Sequence, residues 1–263
     1  MQAPNAVEGP AVYALIQSMN SDPALSGKSA LVTGGAKRIG RAIALALAHA
    51  GADVTITYRN SVDDAASTFR EIEALGRRAQ SVECDVRSEP SVRKAVSAAV
   101  EFHRRLDILV NNAAVFETAS MDRMTLAQWD AVFETNARGP FLVAREALDH
   151  LRSAEGRIIN IGSLGGIQAW ATHGHYCASK AALHMLTHAM AKAFAPEVTV
   201  NCVAPGWIEF DNDVLGQASR FAARTPMHRN GTPEEVAQAV LFFAAAPRFI
   251  TGQILTVDGG LGL

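Results

Sequence analysis

Short apolar runs alternate with longer amphipathic segments from Lys28 to the end of the chain. "SALVTG" is a compact apolar run, and "RIGRAIALALAHAG" after it has helical composition and a stop at Gly51. "ADVTITYR" is β-branched, and "VDDAASTFREIEALG" reads as a helix ending at Gly76. "AQSVECDV" predicts a third strand, and "PSVRKAVSAAVEFHRRL" opens on proline in a helix-start context. The beat continues through "DILVNNAA", the long helical stretch "TLAQWDAVFETNARGPFLVAREALDHL" and the strand "GRIINIGS". "YCASKAALHMLTHAMAKAF" is helical, "VTVNCVAPG" a strand, "PEEVAQAVLFFAAA" a helix and "GQILTVDGG" a last strand.

Strands that are apolar throughout, each followed by a helix, predict a parallel sheet covered on both faces. Right-handed crossovers then give a doubly wound α/β sheet of about seven strands, with ligands at the carboxyl ends of the strands. Residues 28–263 read as one domain, with no linker and no internal repeat. Residues 1–27 form an N-terminal extension. Its centre, "AVYALIQSM", suits a short amphipathic helix, but the proline, glycine and serine around it read as a partly ordered tail.

Composition narrows the class of function. The chain has 263 residues, 49% hydrophobic and 19% charged, which suits a folded enzyme with a large core. A formal net charge of −2 gives no reason to expect a nucleic acid or an anionic membrane as partner. Cys84, Cys177 and Cys202 lack metal-ligand spacing, so a reducing, cytoplasmic setting is the simple expectation. No apolar run is long enough to span a bilayer, and no secretory leader is expected.

The first strand-to-helix turn, "TGGAKRIG", holds Gly34, Gly35 and Gly40. Glycine lets the backbone approach a pyrophosphate, and the helix start offers free N–H groups and a favourable dipole. An NAD site usually has Asp or Glu at the end of the second strand, to bind the ribose 2′-hydroxyl. Here that strand ends "TYRNS", with Tyr58, Arg59, Asn60 and Ser61 and no carboxylate. Arg59 suits a 2′-phosphate, with Lys37 approaching from the other side. One such charge pair contributes roughly 1–4 kcal/mol, enough to favour NADP over NAD by a factor of about ten or more. The expected cofactor is NADP(H).

Tyr176 and Lys180 are spaced to share one helix face. An ammonium about 4 Å from a phenol, at an effective dielectric of about 20, lowers the phenol pKa by about three units. That arithmetic brings Tyr176 near neutrality, where a general acid or base works best. The motifs "TGGAKRIG", "NNAA" (Asn111–Ala114), "YCASK" (Tyr176–Lys180), "PG" (Pro205–Gly206) and "DGG" occur here in order. Over residues 28–263 this pattern resembles the short-chain dehydrogenase/reductase family. The resemblance implies a Rossmann-type fold and an NADP(H)-dependent oxidoreductase. Tyr176 would act as general acid, Lys180 would hold the nicotinamide ribose, and Ser163 would orient the substrate oxygen. Asn136 would complete a proton relay through water. Asp85 and Val86 would contact adenine, and Asn112, Ala113 and Ala114 would line the adenosine ribose. Backbone from Gly206 to Ile208, beside Pro205, would hold the carboxamide. The family often has threonine where Phe210 stands. The resemblance also implies a homotetramer, or a homodimer, built through the helices that carry Asn136 and Tyr176.

Most members of the family have glycine at the position of Arg38, next to Ile39. "TGGAKRIG", "YRNS" and Phe116 in "NNAAVF" are instead similar to the pteridine reductase branch. There this arginine faces the diphosphate and the pterin, and the aromatic ring stacks on the pterin. That branch has aspartate where Ser163 stands, and serine suits a carbonyl. The substrate thus stays open between a pterin, a 3-oxoacyl thioester and a general ketone or aldehyde. A non-catalytic NADP sensor is a further alternative, against which the full set Asn136, Ser163, Tyr176 and Lys180 argues. The segment 209–231 reads as substrate-side loop, in which Glu209, Asp211 and Asp213 could meet an amino-bearing ring or simply face solvent. His173 and His175 precede Tyr176 and stand near the expected pocket. His184 and His188 have metal-compatible spacing but no third ligand nearby, so no metal site is expected.

Overall fold

The computed structural model describes residues 24–210 and 217–263. The stretch "AVYALIQSM" and the pair Asp211 and Asp213 lie outside the described residues. Seven parallel strands form one sheet: β1 (Ser29–Val32), β2 (Asp53–Tyr58), β3 (Ala79–Glu83), β4 (Ile108–Asn111), β5 (Arg157–Ile161), β6 (Thr199–Pro205) and β7 (Ile254–Val257). Their order is β3-β2-β1-β4-β5-β6-β7, the doubly wound parallel sheet of seven strands expected from the sequence. The order reverses between β1 and β4, so the ends of these strands open a crevice at the carboxyl edge.

The described helices are α1 (Arg38–His49), α2 (Val62–Ala74), α3 (Glu89–His103), α4 (Leu126–Phe133), α5 (Gly139–Ser153), α6 (Gly174–Phe194), α7 (Gln217–Arg224) and α8 (Pro233–Ala245). Successive strand residues point to opposite faces of the sheet. Val32, Ile56 and Val110 therefore pack with Ile43 and Leu47 of α1 and Val240 and Phe243 of α8. Leu31 and Leu109 face the other way, against Val92 and Val96 of α3, Leu151 of α5 and Met190 of α6. Each such fully buried side chain contributes about 1.5–3 kcal/mol relative to an exposed one. Capping boxes start two helices, Thr125 with Gln128 at α4 and Thr232 with Glu235 at α8.

The expected long helix over residues 125–151 is not one regular helix. Between α4 and α5 the chain widens into a π-helical turn, Glu134–Arg138. Such bulges commonly lie at functional sites. This one puts Asn136, fully buried, against the main chain that leaves β4.

Candidate active site

The carboxyl edge of the sheet opens into a cleft of about 670 Å³. Every site residue expected from the sequence lines it except Asn136. At one end β1 stops at the glycine loop, where Gly34 has φ +63°, a left-handed conformation that favours glycine. A Cβ on Gly40 would run into the Gly34 carbonyl, so the loop and the first turn of α1 pack in direct contact. Asn112 braces this loop from β4. Its Nδ2 donates to the carbonyls of Thr33 (2.9 Å) and Gly34 (3.0 Å). The Thr33 hydroxyl accepts the N–H groups of Asn112 and Ala113. The Asn112 amide thus holds the loop in place while the residue also lines the cleft.

Arg59, Asn60 and Ser61 form the outer wall at this end. Ser61 begins α2 without a side-chain capping bond, so its hydroxyl is not used there. Lys37 is nearby but half-exposed and paired with Asp64 at 3.3 Å. Asp85 reaches the cleft with its carboxylate paired to Arg87 at 2.6 Å. The Arg87 hydrogen bonds, with Arg59 adding a smaller pull, hold that carboxyl below the usual range. Arg38 occupies a left-handed backbone conformation at φ 51°, which explains why glycine suits this position. Its guanidinium lies over the Phe210 ring, 5.1 Å from the centroid. The two positions where the chain departs from the family pattern therefore touch each other.

At the opposite end stand Ser163, Tyr176 and Lys180. Ser163 leaves β5 and caps the following 3₁₀ turn, its Oγ accepting the Gly165 N–H at 3.0 Å. It also hydrogen-bonds Tyr176, which lowers the Tyr176 pKa, but burial is the larger effect and pushes it up to about 12. Lys180 is fully buried, donates to the Ile161 carbonyl at 2.7 Å, and lies 5.8 Å from the Tyr176 ring centroid. Burial draws its own pKa down to about 8. The expectation of a phenol titrating near neutrality is therefore corrected. Burial is the leading cause, and the Lys180 ammonium donates to a main-chain carbonyl. Tyr176 is a protonated phenol at neutral pH.

Asn136 lies behind this end. Its Oδ1 accepts the Val115 N–H at 2.8 Å, and its Nδ2 donates to the Val115 carbonyl (2.9 Å) and to Ser179 Oγ (3.1 Å). These bonds fix the side chain against the main chain beyond β4.

Rings build the remaining walls. Phe116, about half exposed, meets Tyr176 edge-to-face at 4.8 Å and stacks on His173 at 4.6 Å. His173 is held on both ring nitrogens by the hydroxyls of Thr118 and Thr172, each at 3.0 Å. It backs Phe116 and is not part of the cleft lining. Trp170 lies parallel to Tyr176, centroids 6.1 Å apart, and Trp207 stacks on Phe221 at 4.2 Å. The sequence assigns no role to either indole: Trp170 sits in no motif, and in the Gly206–Ile208 segment only the backbone has an expected role. His175 is fully buried in α6 and does not reach the cleft. Among the described residues no cluster of three or more His, Cys, Asp or Glu fits a metal ion. No described helix is long and apolar enough to cross a membrane.

A family profile described as enoyl-(acyl carrier protein) reductase matches residues 34–262. A 3-oxoacyl-[acyl-carrier-protein] reductase of Synechocystis is 38% identical over 242 residues, covering 90% of this chain and 98% of the relative. The chain belongs to the short-chain dehydrogenase/reductase family. A versicolorin reductase of Emericella nidulans is 36% identical over 253 residues, covering 90% of this chain and 96% of the relative. A short-chain dehydrogenase of Burkholderia cenocepacia, solved in complex with NADP, is 40% identical with a TM-score of 0.85, covering 91% of this chain and all of that one. As a member of this family the protein is a nicotinamide-dependent oxidoreductase.

The lining fits such a dinucleotide. One end offers the amides of a glycine loop at a helix start, with cations and hydroxyls beside them. The other offers a buried lysine and a protonated phenol about which a ring can lie. The backbone of Gly206 and Ile208 borders that end.

Proposed function

We propose that the protein is an NADPH-dependent reductase that reduces a C=O or C=N bond carried on a flat, unsaturated ring. Arg59, Asn60 and Ser61, with Lys37, would hold the 2′-phosphate, and NADPH would supply the hydride. The Tyr176 hydroxyl donates the proton that completes the reduction, leaving phenolate. The Lys180 ammonium stabilises that phenolate, and solvent returns the proton. A phenol held at about 12 is in the donor form throughout the neutral range, as a reductase requires. Ser163 orients the acceptor atom beside Tyr176.

The observation that carries the substrate class is the Phe116 ring, half exposed, edge-on to Tyr176 and backed by a fixed imidazole. A rigid flat surface beside the proton donor favours a planar substrate over a flexible chain. A pterin is one such substrate, although Ser163 in place of an acid favours a carbonyl. The second reading, a 3-oxoacyl thioester reductase, rests on the relatives that bear that name. Loss of nicotinamide absorbance, followed with dihydrobiopterin, an aryl ring ketone and an acetoacetyl thioester side by side, separates these readings. Faster turnover of either ring substrate supports the proposal; turnover of the thioester alone overturns it. Assembly as a homotetramer belongs to the same reading, supported by exposed Phe141 and Met185 on the helices α5 and α6. Light scattering measures it directly.

A further inference from the structure

Behind the wall that carries Ser163 lies an imidazole to which the reductase reading gives no task. His184 follows Lys180 by one turn on α6 and is only 6% exposed. Its Nε2 accepts the main-chain N–H of Ser163 at 3.4 Å. The ring has room because residues 162 and 166 are both glycine. A Cβ on Gly162 would run into Nε2, and one on Gly166 would stand 2.6 Å from Cε1 and 2.8 Å from the Lys180 carbonyl carbon. Cys202 of β6 closes the far side, its Sγ 2.7 Å from the same Cβ position at Gly162. Two glycines flanking the Ser163 turn and one histidine beneath it thus form an interlocked unit.

The acceptor role requires an unprotonated Nε2. Burial first, then the charges of Lys180 and His188, bring the His184 pKa down to about 4. Cys202, the other titratable group against the ring, is a thiol pushed up to about 12 by burial. The lone pair therefore stays available across the neutral range. Its target matters because the Ser163 hydroxyl serves both Gly165 and Tyr176. A shift of the main chain at Ser163 would move that hydroxyl away from the proton donor.

We propose that His184 is a positioning residue, whose ring, seated between Gly162 and Gly166, fixes the main chain at Ser163 and through it the Ser163–Tyr176 pair. The kinetic consequence rests on the reductase reading, but the positioning itself does not. His184→Leu fills the volume without an acceptor, whereas His184→Gln retains a side-chain acceptor. Amide hydrogen exchange by NMR reads the contact without any substrate. The Leu variant should lose protection at the Ser163 amide by about 3- to 10-fold, the size of one hydrogen bond, and the Gln variant should retain most of it. With whichever substrate the wild type reduces, the Leu variant should lose kcat by a similar factor while KM for NADPH stays within about 2-fold. Equal protection at Ser163 in the wild type and the Leu variant overturns the proposal. So does an equal loss in the Leu and Gln variants, which would reduce the ring to a space-filler. A wild type that reduces none of the substrates sinks the reductase reading, and the exchange result still decides the role of His184.

Discussion

The two ends of the cleft are built on opposite principles. The end expected to hold the 2′-phosphate and diphosphate is made of backbone and charge: Gly34 and Gly40, the start of α1, Lys37, Arg38 and Arg59. The end that carries Tyr176 is made of rings: Phe116, Trp170 and Trp207 line it, and His173 backs the first of them. Charged and amide groups recognise a ligand that the whole family shares, and they need only local spacing to do so. Rings recognise shape, and they come from three separate loops. Apart from Arg38, the cofactor end thus reports family membership, and the ring end reports what distinguishes this chain.

The sharpest division between the ends comes from Tyr176→Phe. It should lower turnover by about 10²- to 10⁴-fold, the usual contribution of a general acid, while NADPH affinity measured by fluorescence stays within about 3-fold. Turnover near wild type would remove the chemistry from this end. Next in size is Arg59→Ala. The ratio of NADPH to NADH affinity should fall by about 10-fold or more with little change in NADH binding, as the loss of one phosphate partner predicts. An unchanged ratio would mean that the charge at this end is not what selects the cofactor.

Phe116→Ala tests the ring end alone. A stacking contact is worth about 0.5–1.5 kcal/mol, so kcat/KM for a flat ring substrate should fall by about 3- to 10-fold. A small aliphatic ketone should lose less than about 2-fold on the same scale. Equal losses would show that Phe116 is wall and not platform. The smallest effect belongs to Arg38→Gly, which joins the two ends through Phe210. Relief of the left-handed backbone and loss of the cation–π contact are each about 1 kcal/mol and opposite in sign. Thermal stability should change little, while NADPH binds several-fold more weakly for want of one cation near its diphosphate. A pH profile completes the set. Because Lys180 is lowered to about 8, its charge is present below that pH and lost above it, so activity should decline as pH rises through about 8. Lys180→Met should abolish that limb along with most of the rate.

Sequence and structure agree where the cause is local. Short apolar runs alternating with helical segments mark all seven strands of a doubly wound sheet, and the glycine loop, Arg59 and the Tyr176–Lys180 spacing mark both ends of the cleft. The disagreements share one cause, which is that a side chain's partners cannot be read from its neighbours in the chain. The side-chain bonds of Asn112 to the loop after β1 and of Asn136 to the chain after β4 could not be read from neighbouring residues. The Tyr176–Lys180 spacing was read correctly, whereas the charge balance depended on burial and on the Ile161 carbonyl. Trp170 and Trp207 reach the cleft only once β5 and β6 lie side by side.

The π turn at Glu134–Arg138 has a consequence for how this chain tolerates length change. A π turn amounts to one additional residue in an α-helix, and one residue is about 100° of rotation. A single-residue deletion there would let the turn relax to ordinary α-helix and swing one flank round its axis. Either Leu142 and Leu151 would leave the core or Asn136 would let go of Val115. Residues 134–138 should therefore accept substitutions at their exposed positions far more readily than the loss of one residue.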